Sequence, residues 1–172
     1  MAIVPDTSDW TWVLERPCAD CGLRAGEVPF ADLPALIRAN AAAWIPVLAR
    51  VDAAVRPSDH TWSALEYAAH VRDCCRLFDE RLRRALDEDD PQLADWDQDA
   101  TAIAARYDLQ DPVTVSRELE AAAASVADSF AAVEVGDRRR SMRRSDGASF
   151  TVETLGQYFL HDIVHHRHDV NG

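Results

Sequence analysis

Residues 160–168, near the C-terminus, are rich in side chains that bind metal ions. His161 and His165 are four residues apart, so on a helix they lie on one face with Cβ atoms about 5–6 Å apart. Two imidazoles at this spacing can share one divalent ion, with bonds of about 2.0–2.1 Å. The pair therefore predicts two ligands of a metal site.

A third ligand has to come from another helix, and His70 is the histidine elsewhere that lies well inside a helical pattern. We predict that the helix carrying His70 packs against the last helix, so that His70, His161 and His165 bind one ion. Three neutral nitrogens and a water molecule leave the open position that catalytic zinc sites keep. An alternative is that His166 replaces His165, with Asp162 as its i+4 partner.

The same residues also have a purely structural interpretation. The four histidines near the C-terminus can form a solvated helix end, where His168 lies only loosely on the face of His165. A lone His70 near a core is commonly hydrogen-bonded rather than bound to metal. Tyr158 and Asp162 are weak candidates for catalytic residues. Tyr158 can line a pocket mouth or pack in the core, and Asp162 can orient a neighbouring imidazole.

Two pairs of cysteines are the other groups that can bind metal or react. Cys18 and Cys21 form a CxxC motif followed by Gly22, whereas Cys74 and Cys75 are adjacent and point to different sides of a helix. A CxxC motif can be half of a zinc site or a redox pair. A zinc site of this kind needs a second pair, and no second cysteine pair follows at a suitable spacing. The sequence favours an N-terminal turn with two reduced thiols.

Apolar residues at helical spacing predict the elements that must position this site. A first helix follows Asp32, which we expect to cap it, and Pro46 should kink this helix or end its regular part. Ser63 and Glu66 form a capping box, in which each side chain satisfies a backbone donor of the other residue. A second helix therefore starts near Ser63 and carries His70.

The remaining helices follow an acidic segment of mixed character. A short helix is predicted there over about residues 98–106. Asp111 and the proline after it open a third long helix, which we expect Gly136 to end. Residues 138–144 can form a short β-like excursion before Thr151 begins the last helix.

Four long helices without strand periodicity predict an all-α four-helix bundle over residues 32–172, preceded by an extended N-terminal arm over residues 1–31. The arm has no sustained period, and we expect Trp10 and Trp12 to anchor it to the bundle. The second and third connections between long helices span about 25 and 15 residues. Connections of that length do not require a simple up-down-up-down series of helical hairpins.

Length and charge narrow the class of protein. The 172 residues, 48% of them hydrophobic, suffice for one domain with one core. A net charge of −12 disfavours nucleic-acid binding. We find no signal-like start and no apolar stretch approaching about 20 residues, so we expect a cytoplasmic protein that does not bind membranes. The basic residues are all Arg and Ala is abundant, which favours a high-GC bacterial source.

Two motifs together resemble one known family. Residues 62–73 contain Trp-Ser-x-x-Glu-x-x-x-His, and residues 161–166 contain His-x-x-x-His. The combination, over about residues 33–170, resembles the DinB-like (YfiT-type) metalloenzyme superfamily, whose members are four-helix bundles. The resemblance implies a divalent ion bound by His70, His161 and His165, with zinc and nickel as the first candidates. The commoner family ending has Arg-Gly-Gln after the last ligand, where this chain has Arg-His-Asp after His166, so His166 stays the alternative third ligand.

The resemblance is strongest to actinobacterial members and implies a transferase or isomerase that uses a low-molecular-weight thiol such as mycothiol or bacillithiol. A divalent ion stabilises a thiolate at neutral pH, which can then attack an electrophilic small molecule. Arg143 and Arg144 can recognise an acidic substrate or remain solvated. Relatives frequently form homodimers. The alternatives are a metal-binding structural or regulatory protein without a substrate-sized cavity, and a helical interaction module that binds no metal.

Overall fold

The computed structural model describes Ile3 and residues 9–171. Part of the predicted arm over residues 1–31 therefore lies outside the described residues, as does residue 172, the last of the predicted domain. Among the described residues no helix is both long and apolar enough to cross a membrane. The elements in chain order are α1 Leu33–Leu48, α2 Ala64–Asp87, β1 Gln92–Leu93, α3 Gln98–Ala104, α4 Pro112–Ala131, β2 Ser141–Arg144, β3 Ser149–Thr151 and α5 Val152–Asp169. The predicted all-α four-helix bundle is confirmed, with α1, α2, α4 and α5 as its long helices.

The four long helices form a ring in the order α1, α4, α2, α5. Helix α4 packs along both α1 and α2, and α5 packs along the same two helices from the other side. The consecutive helices α1 and α2 therefore lie diagonally across the bundle. Such a ring needs long connections rather than short hairpin loops. It also makes α2, which carries His70, a direct neighbour of α5.

Aromatic packing fixes the position of α5. The ring of Phe159 on α5 stacks on Phe78 of α2, with centroids 4.8 Å apart, and on Phe130 of α4, at 6.4 Å. All three side chains are buried, and each aromatic pair contributes roughly 0.5–1.5 kcal/mol beyond its burial. A Cβ at Gly156 would lie 2.6 Å from Leu33 Cδ1 of α1 and 2.8 Å from the Phe130 ring of α4, so these two side chains pack against the α5 backbone only because glycine is there. This packing fixes the position along the bundle axis of the histidines that follow on α5.

The predicted capping box fixes the start of α2. The Ser63 hydroxyl accepts a hydrogen bond from the Glu66 backbone N–H at 3.2 Å, and the Glu66 carboxylate accepts one from the Ser63 backbone N–H at 2.8 Å. Arg56 pairs with the same carboxylate. Burial acts to raise the pKa of Glu66, but its hydrogen bonds from Arg56 and Ser63 hold that pKa below its ordinary value. Because His70 lies one turn later, the cap also positions that imidazole.

Three details differ from the sequence-based expectation. Helix α4 ends at Ala131 rather than at Gly136, because the buried Val133 turns the chain back over the core first. Asp32 stands at the N-cap of α1, but it is the last residue of a 3-10 turn and has helical φ and ψ, so its side chain makes no capping hydrogen bond. Pro46 lies inside α1, two residues before its end.

The β-like excursion expected over residues 138–144 is a strand of a small sheet. Strand β2 pairs parallel to β1 and antiparallel to β3. Strands of two to four residues are too short to show the alternation by which a strand is recognised in a sequence. The sheet delivers the chain into α5, since β3 ends at Thr151 and the Thr151 hydroxyl accepts a hydrogen bond from the Thr154 backbone N–H.

We predict that Ser63→Ala lowers the free energy of unfolding by about 1 kcal/mol, because it leaves a backbone donor at the start of α2 without its acceptor. Ser116→Ala, in the interior of α4, is the matched control and should be neutral or slightly stabilising, since alanine favours helix. Urea denaturation followed by circular dichroism measures both. Equal unfolding midpoints for the two variants would contradict the role of the cap.

Candidate metal centre

The C-terminal half of α5 carries ligand-type side chains on two faces. His161 and His165 form one i,i+4 pair, and Asp162 and His166 form a second pair shifted by one residue. One residue along an α-helix corresponds to a rotation of about 100°. The two pairs therefore point to different neighbours: the first meets the N-terminal arm and the second meets α2.

The second pair forms a cluster with His70, which we call the interior cluster. One ligand-type atom each from His70, Asp162 and His166 lie within 4.8 Å of one another. His166 Nε2 is 3.3 Å from Asp162 Oδ1, and the rings of His70 and His166 meet edge to face with centroids 4.7 Å apart. Two imidazole nitrogens and a carboxylate oxygen are a donor set suited to zinc and related divalent ions.

One ring nitrogen of His70 is buried without a hydrogen-bond partner among the described residues. The residue is 1% exposed, and its Nδ1 has no hydrogen-bond partner among the described residues, whereas Nε2 lies 3.2 Å from Cys74 Sγ. A buried polar atom without a partner is costly, and a bound cation would supply the missing partner. The residues present therefore fit a divalent ion.

Two tryptophans enclose the His70 ring. The indole of Trp96 stacks on it with centroids 5.2 Å apart and planes 6° from parallel, and Trp62 lies against it at 5.3 Å. Burial lowers the pKa of His70 to about 3, and the nearby His166 adds to the effect. His70 is therefore neutral at physiological pH, which is the form that binds a metal ion.

The other two members of the interior cluster form an ion pair in the metal-free protein. Burial acts to lower the pKa of His166, but hydrogen bonds with Asp162 and Asp169 outweigh it and raise that pKa to about 9. The contact with His166 also holds the pKa of Asp162 well below its usual range, despite burial. Asp169 accepts at 3.2 Å from His166 Nδ1, at the last residue of α5.

The first pair meets the CxxC motif of the arm in what we call the arm cluster. One ligand-type atom each from Cys18, Cys21, His161 and His165 lie within 4.8 Å of one another. Burial and the neighbouring His165 lower the pKa of His161 to about 4. Burial raises the pKa of the Cys21 thiol to about 11, against a hydrogen bond from the Leu23 backbone that favours the thiolate.

Trp10 and Trp12 stack with centroids 5.6 Å apart. Trp10 also packs on the rings of His161 and His165, at 5.6 and 5.0 Å. The tryptophan therefore joins the arm to the same face of α5 that carries the arm cluster.

The structure divides the predicted ligands His70, His161 and His165 between the two clusters. The rotation between adjacent residues of α5 turns His161 and His165 away from α2, and it is the alternative pair, Asp162 and His166, that meets His70. The identity of the metal ligands stays a prediction. A CxxC motif with a distant HxxxH is a known ligand pattern, so the spacing of His161 and His165 was the signal that could have paired them with Cys18 and Cys21.

A cavity of about 710 Å³ lies over the interior cluster. The cluster forms one part of its wall, and Trp10, His161 and His165 form another. Tyr158, expected either at a pocket mouth or in the core, also lines it. Cys18 and Cys21 do not line this cavity, so the sulfur atoms of the arm cluster lie behind its wall.

Two arginines line the cavity away from the histidines. Arg81 is 7% exposed and has no ion-pair partner among the described residues; burial and the nearby Arg144 lower its pKa. Arg144 pairs with Asp146 at 2.6 Å. Arg143, the other arginine considered for substrate recognition, is largely exposed, pairs with Asp90 and does not line the cavity.

The fold and these clusters define a class: a YfiT-like four-helix bundle whose last helix carries candidate metal-binding residues. The chain is similar to YfiT from Bacillus subtilis, described as a probable metal-dependent hydrolase with an unusual four-helix bundle topology. The TM-score is 0.64 at 18% identity, over 97% of this chain and 89% of that chain. At this identity the likeness shows the fold. No protein-family model and no curated protein matches the chain.

We predict that Asp162→Asn markedly lowers the pKa of His166 in the metal-free protein, because the largest effect that raises it is lost and burial then dominates. A raised pKa means that the His166 proton stabilises the fold at low pH and that this contribution is lost as the pH rises through about 9. Asp169→Asn should cause a smaller fall. Titration of the imidazole ¹⁵N resonances measures both; an unchanged midpoint in Asp162→Asn would contradict the ion pair.

Proposed function

We propose that this chain is a divalent-metal-dependent enzyme that joins a low-molecular-weight thiol such as mycothiol to a small acidic electrophile, or isomerises the adduct. The ion, zinc or nickel, is held by His70, Asp162 and His166. The observation that carries the proposal is the grouping of the buried His70, one ring nitrogen of which has no partner among the described residues, with Asp162 and His166 in the wall of a substrate-sized cavity. The fold shared with YfiT, described as a probable metal-dependent hydrolase, supports metal dependence.

The residues of the interior cluster have separate tasks. A divalent ion bound there supplies a Lewis acid that favours the deprotonated form of a thiol or water nucleophile at neutral pH. Neutral His70 offers a nitrogen lone pair, and the Asp162 carboxylate offsets part of the cation charge. Asp169 faces His166 Nδ1 and thereby fixes the ring with Nε2 toward the cluster. Trp62 and Trp96 cover His70 and keep water from its ring.

The attacking nucleophile has to come from outside the chain. Cys74 is the cysteine that touches the interior cluster, but it is buried, and burial with the nearby Asp162 raises the pKa of its thiol well above the ordinary value. A thiol held protonated in this way is a poor nucleophile. The cavity instead has room for a separate thiol, which belongs in the reducing cytoplasm where we place the protein.

The cavity favours an enzyme over a structural or regulatory metal protein. Its volume of about 710 Å³ lies within the range of roughly 300–1,000 Å³ that is common for small-molecule sites. Arg81 and Arg144 add positive charge to one part of a wall that also carries aspartates, among them Asp95 and Asp146. Arg81 donates to the Ala94 carbonyl, with Asp95 as its nearby carboxylate, and Arg144 pairs with Asp146. A guanidinium binds a carboxylate through charged hydrogen bonds, so a substrate carboxylate can pair with these arginines. We therefore propose that the electrophile is acidic.

We predict metal-dependent thiol consumption when the protein is given mycothiol, bacillithiol or glutathione with a panel of acidic electrophiles. His70→Ala should reduce the rate about 100-fold or more, since several kcal/mol of Lewis-acid stabilisation is lost. Cys75→Ala, a buried cysteine outside the interior cluster, is the matched control and should retain the rate. Liquid chromatography with mass spectrometry follows the adducts. Turnover of the electrophiles by water alone would reject the thiol, and no turnover with any thiol or water would reject the enzyme.

We predict that Arg81→Gln raises KM for an acidic electrophile about tenfold or more and leaves kcat for a neutral analogue nearly unchanged, because a charged hydrogen bond to the substrate is lost. Arg84→Gln is the matched control, since Arg84 pairs with Glu88 and does not line the cavity. Steady-state kinetics with the paired substrates measures the effect. An equal change in KM for the acidic and the neutral substrate would contradict recognition of a carboxylate.

A further inference from the structure

We propose that the arm cluster is a second metal site, a closed structural zinc site in which Cys18, Cys21, His161 and His165 tie the N-terminal arm to α5. The site is distinct from the proposed catalytic ion, and it does not depend on the proposed function.

The CxxC loop is folded so that its two sulfurs face one point. The Gly22 backbone N–H donates to the Cys18 carbonyl at 3.0 Å, and the Cys18 backbone N–H donates to the Leu23 carbonyl at 3.0 Å. Gly22 has φ of +74°, a left-handed conformation that glycine adopts without strain. The two backbone hydrogen bonds close the loop around residues 18–23 and place both cysteines against α5.

The distance between Cys18 and His165 matches that between two ligands of tetrahedral zinc. Bonds of about 2.3 Å to sulfur and 2.0–2.1 Å to nitrogen, at a tetrahedral angle, place sulfur and nitrogen about 3.6 Å apart. Cys18 Sγ lies 3.5 Å from His165 Nδ1. The four ligand-type atoms are all within 4.8 Å of one another, so one ion can reach every one of them.

The two imidazoles are prepared as ligands. His161 is 3% exposed, and its Nε2 has no hydrogen-bond partner among the described residues. His165 directs Nδ1 to Cys18, while its other nitrogen, Nε2, lies 3.6 Å from Asp169 Oδ1. A carboxylate behind the second nitrogen is a common support for a metal-bound histidine. These two observations point to a cation rather than to a chance cluster.

A redox role for the CxxC motif fits the structure less well. Redox-active CxxC cysteines stand at the N-terminus of a helix, where the thiolate is stabilised. Cys18 and Cys21 precede the 3-10 turn Ala25–Glu27 and are not at the start of an α-helix. Four protein ligands fill a tetrahedral zinc ion and leave no open position, which is typical of structural sites. Binding would release both thiol protons to solvent.

The site would fix one wall of the substrate cavity. Trp10 packs on the rings of His161 and His165 and lines the cavity. The arm is also tied to α5 by Gln157, whose side chain donates to the carbonyls of Gly26 and Val28. Zinc would add a strong bond at the end of the arm that meets the cavity.

The test is the zinc content of the full-length protein, purified with reductant, stripped of metal, loaded with excess zinc so that both sites carry the same ion, exchanged against a weak chelator and measured by mass spectrometry. We expect two zinc ions per chain in the wild type and in Cys75→Ala, and one in Cys21→Ser. His70→Ala should also retain one ion, but this is the ion of the arm cluster, whereas the ion left in Cys21→Ser is that of the interior cluster. Loss of zinc in His70→Ala alone would overturn the inference and leave the catalytic ion intact; loss in Cys21→Ser alone would overturn the catalytic ion and leave this inference intact.

Cobalt substitution supplies a readout that does not depend on zinc content or on folding yield. The Co²⁺-loaded wild type and the His70→Ala variant should show a thiolate-to-cobalt charge-transfer band with tetrahedral visible bands. Cys21→Ser should lose most of the charge-transfer intensity while its circular dichroism remains helical. Absence of the band in the wild type, or a Cys18–Cys21 disulfide found by mass spectrometry in protein purified with reductant, would overturn the inference.

Discussion

The one-residue offset between two ligand pairs on α5 decides how the whole molecule is arranged. An α-helix turns by about 100° per residue, so pairs that begin at His161 and at Asp162 cannot serve the same neighbour. The bundle satisfies both by placing α2 on one side of α5 and the N-terminal arm on the other. The close approach at Gly156 and the Phe159 stack hold α5 in the one position where both neighbours can reach it.

Burial and charge are distributed unevenly around that helix. In the interior cluster, His70 is neutral because it is buried, whereas Asp162 and His166 are charged because each is stabilised by the other. A buried ion pair gains little over a hydrophobic pair of the same size, so its presence in a cavity wall is better explained by chemistry than by stability. The cavity arginines extend the same pattern, since Arg81 is buried, donates to the Ala94 carbonyl and has Asp95 as its nearby carboxylate, whereas Arg144 pairs with Asp146.

The sequence predicts the helices well, because their signals are local. The Ser63–Glu66 box and the apolar stripes define α2 and α5, and the cap at Thr151 begins α5 as expected. The interior cluster could be predicted only as an alternative, since a histidine spacing cannot say which face of α5 meets α2. The partnership of Cys18 with His165 is not a local signal at all, because it joins the two ends of the chain. Of the small sheet, only the excursion over residues 138–144 is expected from the sequence, because β1 and β3 are too short to show a strand period.

The last turn of α5 is important for both clusters because it carries Asp169. Its two carboxylate oxygens face different clusters, Oδ1 toward His165 and Oδ2 toward His166. Helix ends fray more readily than helix centres, and here the end is pinned because Arg50 donates to the carbonyls of Val170 and Asn171. Unwinding this single turn would remove a supporting oxygen from both clusters at once, so the hold of Arg50, two residues beyond the end of α1, on the C-terminus supports the two clusters together.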